Sequence, residues 1–263
     1  MAAAIRKRGL SVAHPAWDDL STDWSLFRIA VIRSTWDYHT RRSEFLRWVR
    51  RASVHVDLWN RPATLRWNTD KAYLRELEAR GVPTVPTVWV DRGARVEVRA
   101  LARERGWTSF VVKPAVSAAG ANTYRFSLRR ATAAQRHLDR LAGSGAVLVQ
   151  PYMESVATKG ERSLVFLDGR FSHAVRRVPL FPRPTHRPSE ALAPAPRPLR
   201  ELGRRALAHS PEAVLYARVD LVQDGGDRWR LLELEVTEPS LFFVPFPRAA
   251  ATLASAIGRR LSR

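Results

Sequence analysis

Three carboxylates late in the chain have the types and spacing to hold a metal ion. Asp220 lies in the apolar run Val219-Asp220-Leu221-Val222, and Glu233 and Glu235 alternate with Leu232, Leu234 and Val236. A period of two puts both glutamates on one face of a strand. Asp224-Gly225-Gly226-Asp227 reads as the turn of a hairpin, so Asp220 can face them from the other arm. Carboxylates crowded on one face raise each other's pKa unless a cation sits among them. Oxygen ligands alone favour Mg²⁺ or Mn²⁺, usually shared with phosphates. Taken alone, the pattern equally suits the solvent-facing side of a polar hairpin. Arg218 shares the face of Asp220, and Arg176-Arg177 ends an earlier strand; such guanidinium groups suit a transferring phosphoryl group or a structural ion pair.

Two lysines carry the next signal. The chain has 44 Lys and Arg against 25 Asp and Glu, a net charge of +19. Only Lys7, Lys71, Lys113 and Lys159 are lysines, and the other 40 cations are Arg, spread along the whole chain. That spread reads as a solvated Arg-rich surface and argues against a nucleic-acid footprint, which would cluster. A lysine retained in such a chain is a compact charge that Arg does not replace. Lys113 ends an apolar strand just before the small-residue loop Ser117-Ala118-Ala119-Gly120-Ala121. Backbone N–H groups of such a loop can approach phosphate oxygens, although a simple hairpin connection fits too. Lys71 falls in the expected first turn of a helix capped by Thr69, where the helix dipole disfavours a cation, so an anionic partner is one explanation. Val149-Gln150-Pro151-Tyr152 could present backbone groups to a purine edge or be an ordinary strand end. The seven His have no ligand spacing, and Trp36 sits in a loop where it could touch a small substrate.

The elements that must position these groups read as α/β. A helix over 2–8, strands over 11–13, 28–33 and 54–58 and a helix over 42–52 predict a small parallel lobe. Starting in a helix rather than a strand is unusual for such a lobe and suggests a shortened one. Next come a helix over 69–81, strands over 110–114, 122–126 and 146–150, and a helix over 131–141. Strands follow over 163–167, 171–175, 214–222 and 229–236, then a helix over 248–260. Residues 181–200 hold six of the 17 prolines and read as a mobile connection or lid. The expected division is an N-terminal lobe over 1–65, a central one over 66–150 and a metal-bearing one over 151–263. The absence of Cys excludes disulfides and thiolate chemistry. With no apolar run of membrane length and no signal-like start, a cytoplasmic protein is expected.

The order of these parts is more specific than any one of them. Asn68-Thr69-Asp70-Lys71, 81–87, Val112-Lys113-Pro114 with its loop, Val149-Gln150-Pro151-Tyr152, Gly160-Glu161, Arg218-Val219-Asp220 and Glu233-Leu234-Glu235 follow one another as in the ATP-grasp superfamily, which the chain resembles over roughly residues 66–240. Residues 33–38, 113–118 and 238–243 resemble the glutathione-synthetase-like group, and within it the cyclo-ligases that make cycloserine from O-ureido-serine. The resemblance implies two α+β lobes enclosing a nucleotide cleft, preceded by a small parallel α/β lobe. It implies an ATP- and Mg-dependent carboxylate–amine ligase working through an acyl phosphate. Lys71, Lys113 and the loop residues Ser117 and Gly120 would hold phosphates. Gln150 and Tyr152 would meet adenine, and Glu161 the ribose. Asp220, Glu233 and Glu235 would bind Mg²⁺ (or Mn²⁺), and Arg218 and Arg177 would steady the acyl phosphate. Many relatives have Asn where Glu235 stands. The implied partners are small carboxylate and amine substrates, with no membrane, and a homo-oligomer is left open. The alternatives are a ligase for a peptide or another amino acid, a catalytically weak Mg-ATP-binding protein, and a basic nucleic-acid-binding protein.

Overall fold

The computed structural model describes residues 1–178 and 189–262. The first lobe contains α1 (Ala2–Arg6), β1 (Ile29–Val31), α2 (Arg42–His55) and β2 (Asp57–Trp59), with β1 and β2 paired in parallel. Phe45, Trp48, Val49 and Ala52 fall on one face of α2 and pack against Trp17, Ile32, Tyr38 and Leu58. The strand expected over 11–13 does not form. No neighbouring strand offers a ladder there, and Val12 packs instead against the cluster beneath the last helix.

The central region runs through α3 (Pro62–Asn68), α4 (Tyr73–Ala79), β3 (Val88–Val90), α5 (Val98–Glu104), β4 (Ser109–Pro114), β5 (Tyr124–Ser127), α6 (Ala131–Ala142) and β6 (Val147–Pro151). The helix expected over 69–81 is in fact two. Thr69 ends α3 and α4 begins after Ala72, so Lys71 lies in the turn between them and not in a helical first turn. Four strands form an antiparallel sheet in the order β3-β6-β4-β5. Phe110, Val112, Val147 and Val149 pack against α5 and α6. Strand alternation turns Lys113 to the opposite face.

The last region comprises α7 (Ser155–Thr158), β7 (Glu161–Leu167), β8 (Arg170–Val178), β9 (Ser189–Leu192), α8 (Arg197–Leu207), β10 (Tyr216–Gln223), β11 (Trp229–Glu235) and α9 (Arg248–Leu261). Its five strands are antiparallel in the order β11-β10-β7-β8-β9. The lid expected over 181–200 falls partly on residues 181–188, outside the described residues. The remainder is β9 and α8: Pro198 sits where a helix start tolerates it, and Leu199, Leu202 and Ala206 bury themselves against Leu164 and Phe166. On the other face of the sheet, Val165, Leu167, Val175 and Tyr216 pack against Leu253, Ala254 and Ile257 of α9.

Polar side chains tie the exposed edge of this sheet to the other lobes. Asn60 donates to the carbonyls of Tyr216 (2.9 Å) and Val236 (2.6 Å) and accepts from the Leu215 N–H (2.7 Å). Asn68 donates to Leu234 O (2.7 Å) and accepts from Val236 N (2.9 Å), and the Tyr73 hydroxyl accepts from Leu234 N (3.0 Å). The bonds to Leu234 and Val236 occupy groups at the edge and end of β11 that would otherwise be open to another strand, and those to Leu215 and Tyr216 tie down the start of β10. Among the described residues no helix is long and apolar enough to cross a membrane.

Candidate functional site

The face of the five-stranded sheet that packs on α9 at one end turns polar at the other. Asp220 pairs with Glu233 and Arg218 with Glu235 across β10 and β11, while Ser163 lies opposite Asp220 and Arg177 opposite Glu161. A one-residue irregularity separates the register at Asp220–Glu233 from that at Leu221–Leu231, so Leu232 is a bulge directly before the first glutamate. Asp220 is 1% exposed and accepts from Ser163 Oγ (2.6 Å), from Arg218 Nε and Nη2 (both 2.9 Å at their shortest) and from Arg177 Nη2 (3.4 Å). Burial alone would raise this acid, but Arg218 and Arg177 hold it at about 2. Arg218, 5% exposed, also donates to Glu235. Arg177 donates to Glu161 at 2.5 Å.

Gly160 is what allows that approach. Its φ is +73°, and a Cβ there would lie 2.5 Å from the Arg177 carbonyl oxygen. Gly160→Ala therefore combines a left-handed backbone with a backbone clash. It is expected to cost about 2–4 kcal/mol in urea unfolding and to pull the Glu161–Arg177 pair apart. A variant with unchanged stability would contradict this packing.

The two lysines reach the same face from the central region. Lys71 Nζ donates to Ser117 O (2.9 Å) and Ser117 Oγ (3.0 Å) and lies 3.0 Å from Glu233 Oε1. Its own N–H donates to Ala115 O (2.9 Å), tying the α3–α4 turn to the loop after β4. Lys113 is 6% exposed and has no carboxylate within 4 Å among the described residues. Burial lowers it to about 8, with Glu233 opposing that shift and Lys71 adding to it. In the loop, Ala119 and Gly120 adopt positive φ, and a Cβ at Gly120 would meet open space.

Gln150 is buried at the end of β6 and donates to Thr87 Oγ1 (2.8 Å). The Tyr152 N–H is taken by Ser109 O (2.9 Å), while its ring lies under the Arg125 guanidinium, 3.5 Å from the ring centre. Its hydroxyl is buried without a partner among the described residues. Ser163, Thr87 and Arg125 were not singled out from sequence. Ser163 had one available signal, its place two residues from Glu161 on the same strand face.

The donor set suits a hard divalent cation: three carboxylates in neighbouring registers on one face. Burial, with Glu233 and Asp220 beside it, pushes Glu235 up to about 7 despite Arg218, so this row is short of positive charge. As the side chains stand, each acid is turned onto a cation of the protein, and among the described residues no three acidic or His groups converge on one point. Binding a metal therefore requires these carboxylates to exchange partners.

Cations of the central region meeting an acidic sheet face, with a small parallel lobe in front, match the layout of the ATP-grasp fold, and a 36% identical relative together with the matching solved structures makes the class an ATP-dependent carboxylate–amine ligase. The fold agrees with the crystal structure of D-cycloserine synthetase DcsG (TM-score 0.90, 34% identity, 98% of this chain and 92% of that chain). It also agrees with the ATP-grasp ligase PsnB complexed with minimal precursor (TM-score 0.66, 16% identity, 98% and 93%). Residues 1–60 match the family described as D-cycloserine synthetase DcsG, N-terminal domain. The chain is 36% identical over 273 residues to the cycloserine biosynthesis protein DcsG of Streptomyces lavendulae, covering 98% of this chain and 91% of the relative. It belongs to the DcsG family.

Proposed function

We propose that the chain closes a ring within one substrate: an ATP-dependent cyclo-ligase that converts O-ureido-serine to cycloserine. The observation that carries the nucleotide part is that Lys71, Lys113 and Asp220, drawn from three separate segments, gather around Glu233. Membership of the DcsG family supports the choice of substrate.

In this reading Lys71 and Lys113 neutralise the phosphates, beside the backbone of Ser117 and Gly120. Gln150 and the segment at Tyr152 border the base, and Glu161 the ribose. Asp220, Glu233 and Glu235 would hold Mg²⁺, which would neutralise the phosphate charge. A carboxylate oxygen of the substrate attacks the γ-phosphorus, and the bond to the β,γ-bridging oxygen breaks with its electron pair leaving on ADP. The oxygen-bound nitrogen of the same molecule then attacks the acyl carbon, inorganic phosphate leaves and the nitrogen gives up its proton; one water hydrolyses the carbamoyl group still on that nitrogen, releasing carbon dioxide and ammonia and leaving cycloserine. Arg218 and Arg177 face that charge from a buried, hydrogen-bonded position, so little reorganisation is needed as it develops. We further propose the division of the chain into lobes at 65/66 and 150/151.

The test is ADP release with O-ureido-serine as sole acid, with cycloserine identified by mass spectrometry. One ADP per cycloserine is expected. Release only when a second amino acid or a peptide is added would replace the cyclo-ligase with an intermolecular ligase.

A further inference from the structure

The end of β6 has a partner beyond the strand ladder itself. Val88 of β3 stands opposite Val149, so one step further along Thr87 stands opposite Gln150. The Thr87 hydroxyl donates to Val85 O (2.8 Å), and Gln150 is hydrogen-bonded to the same hydroxyl at 2.8 Å. A carbonyl oxygen only accepts, so the single hydroxyl proton is committed to Val85, and Thr87 offers Gln150 nothing but lone pairs. The amide must therefore present its NH₂ to Thr87 and turn Oε1 away from it. Gln150 is 3% exposed, and this Oε1 has no partner among the described residues. Val147 and Val149 point into the core under α5 and α6, so Gln150 points to the opposite face of the sheet. Lys113 shares that face, because Val111, two residues before it, is the residue opposite Gln150.

Buried polar groups are normally satisfied, so a buried acceptor on the face of Lys113 marks where a donor must arrive. In the ligase reading above, the base lies there, beyond the phosphates that Lys113 neutralises. The amino group at position 6 of adenine supplies the N–H. A purine with oxygen at position 6 would set that oxygen against Oε1. We propose that Thr87 selects the base: by fixing which end of the Gln150 amide faces the nucleotide, it makes the site take a 6-amino purine and refuse a 6-oxo one. Thr87 acts through Gln150 and is a positioning residue. The inference rests on the ligase reading and adds what sets its nucleotide specificity.

The test is calorimetric titration with Mg·ATP and with Mg·ITP, whose base carries oxygen at position 6, in the absence of any acid substrate. The parent is expected to bind ATP at least about tenfold more tightly, as a buried acceptor facing another acceptor should ensure. Thr87→Val keeps the shape but frees the amide to turn its NH₂ toward the base. ITP should then bind several-fold more tightly than it does to the parent, and the ATP/ITP ratio should fall. Thr87→Ser keeps the hydroxyl and should keep the parental ratio. A merely structural role for Thr87 would weaken both nucleotides together. Equal affinity of the parent for the two, or a Thr87→Val protein that keeps the parental ratio, overturns the proposal. A Gln150→Leu protein that keeps that ratio would take Gln150 away from the base and overturn it as well. Discrimination that holds with no ADP released on adding O-ureido-serine would instead remove the ligase reading and leave the base selection standing.

Discussion

Lys113→Met is expected to make the nucleotide-free protein more stable while removing its response to Mg·ATP. Lys113 is buried on the inner face of β4 with no acid within ion-pair distance among the described residues, and burial holds it at about 8 against 10.5 for the free side chain. Below pH 8 both folded and unfolded chains are protonated, and the folded state carries the full cost of the buried charge, about 3 kcal/mol. As pH rises from about 8 toward 10.5, the unfolded chain holds more protons, so this cost fades and stability rises. Met fills a similar volume without charge and should relieve the cost at pH 7, raising the melting temperature by several degrees. Mg·ATP should then shift the variant's melting temperature little, whereas the parent is stabilised by mass action. The parent's ATP affinity should also fall as pH rises through 8, because the ammonium is lost, and Lys113→Arg should abolish that slope since Arg stays charged. A less stable Lys113→Met protein that still responds fully to nucleotide would remove Lys113 from the phosphate site.

Much of this site was legible because it depends on short periods. Alternation alone puts Glu233 and Glu235 on one face, but bringing Asp220 onto that face takes the bulge at Leu232 as well as the Gly-Gly turn. The register that pairs Arg218 with Glu235 does not follow from counting along that hairpin, which would set Arg218 opposite Leu234. Lys71 was found for a reason that fails. It is not a misplaced cation in a helical first turn but part of a turn between two helices, where Glu233 and Ser117 satisfy it. No local pattern separates one long helix from two when the contact that bends the chain, Lys71 N–H to Ala115 O, spans 44 residues. The same limit hid the bond from Arg33 to the Pro239 carbonyl, between loops 206 residues apart. The Pro-rich stretch misled for the converse reason: proline at a helix start looks like proline in a loop until apolar residues of α8 find a sheet to cover. The bulge at Leu232 leaves the alternation of Glu233 and Glu235 intact and so left no trace in the letters.

Asp220→Asn should be the most damaging single change at the site, and it should differ in kind from Glu233→Gln. Asp220 neutralises Arg218 and Arg177 together and accepts from Ser163, all out of water. Removing its charge leaves Arg218 only Glu235 and Arg177 only Glu161 as counter-ions, and breaking a buried pair in this way costs about 3–5 kcal/mol. Glu233 is about a quarter exposed, and Lys71 keeps both Ser117 oxygens without it, so Glu233→Gln should cost about 1 kcal/mol or less in unfolding. Both variants should lose turnover by on the order of 10³, since each removes a charge that the nucleotide site needs. Acid titration separates them further. Asp220 is held at about 2, below its unfolded value of 3.8, so its share of stability, about 2 kcal/mol, is present above pH 4 and is lost as pH falls toward 2. The Glu233→Gln protein should keep this acid-dependent loss, and the Asp220→Asn protein should lack it. Equal unfolding free energies for the two variants would mean that Asp220 is not the counter-ion that holds the two arginines in place.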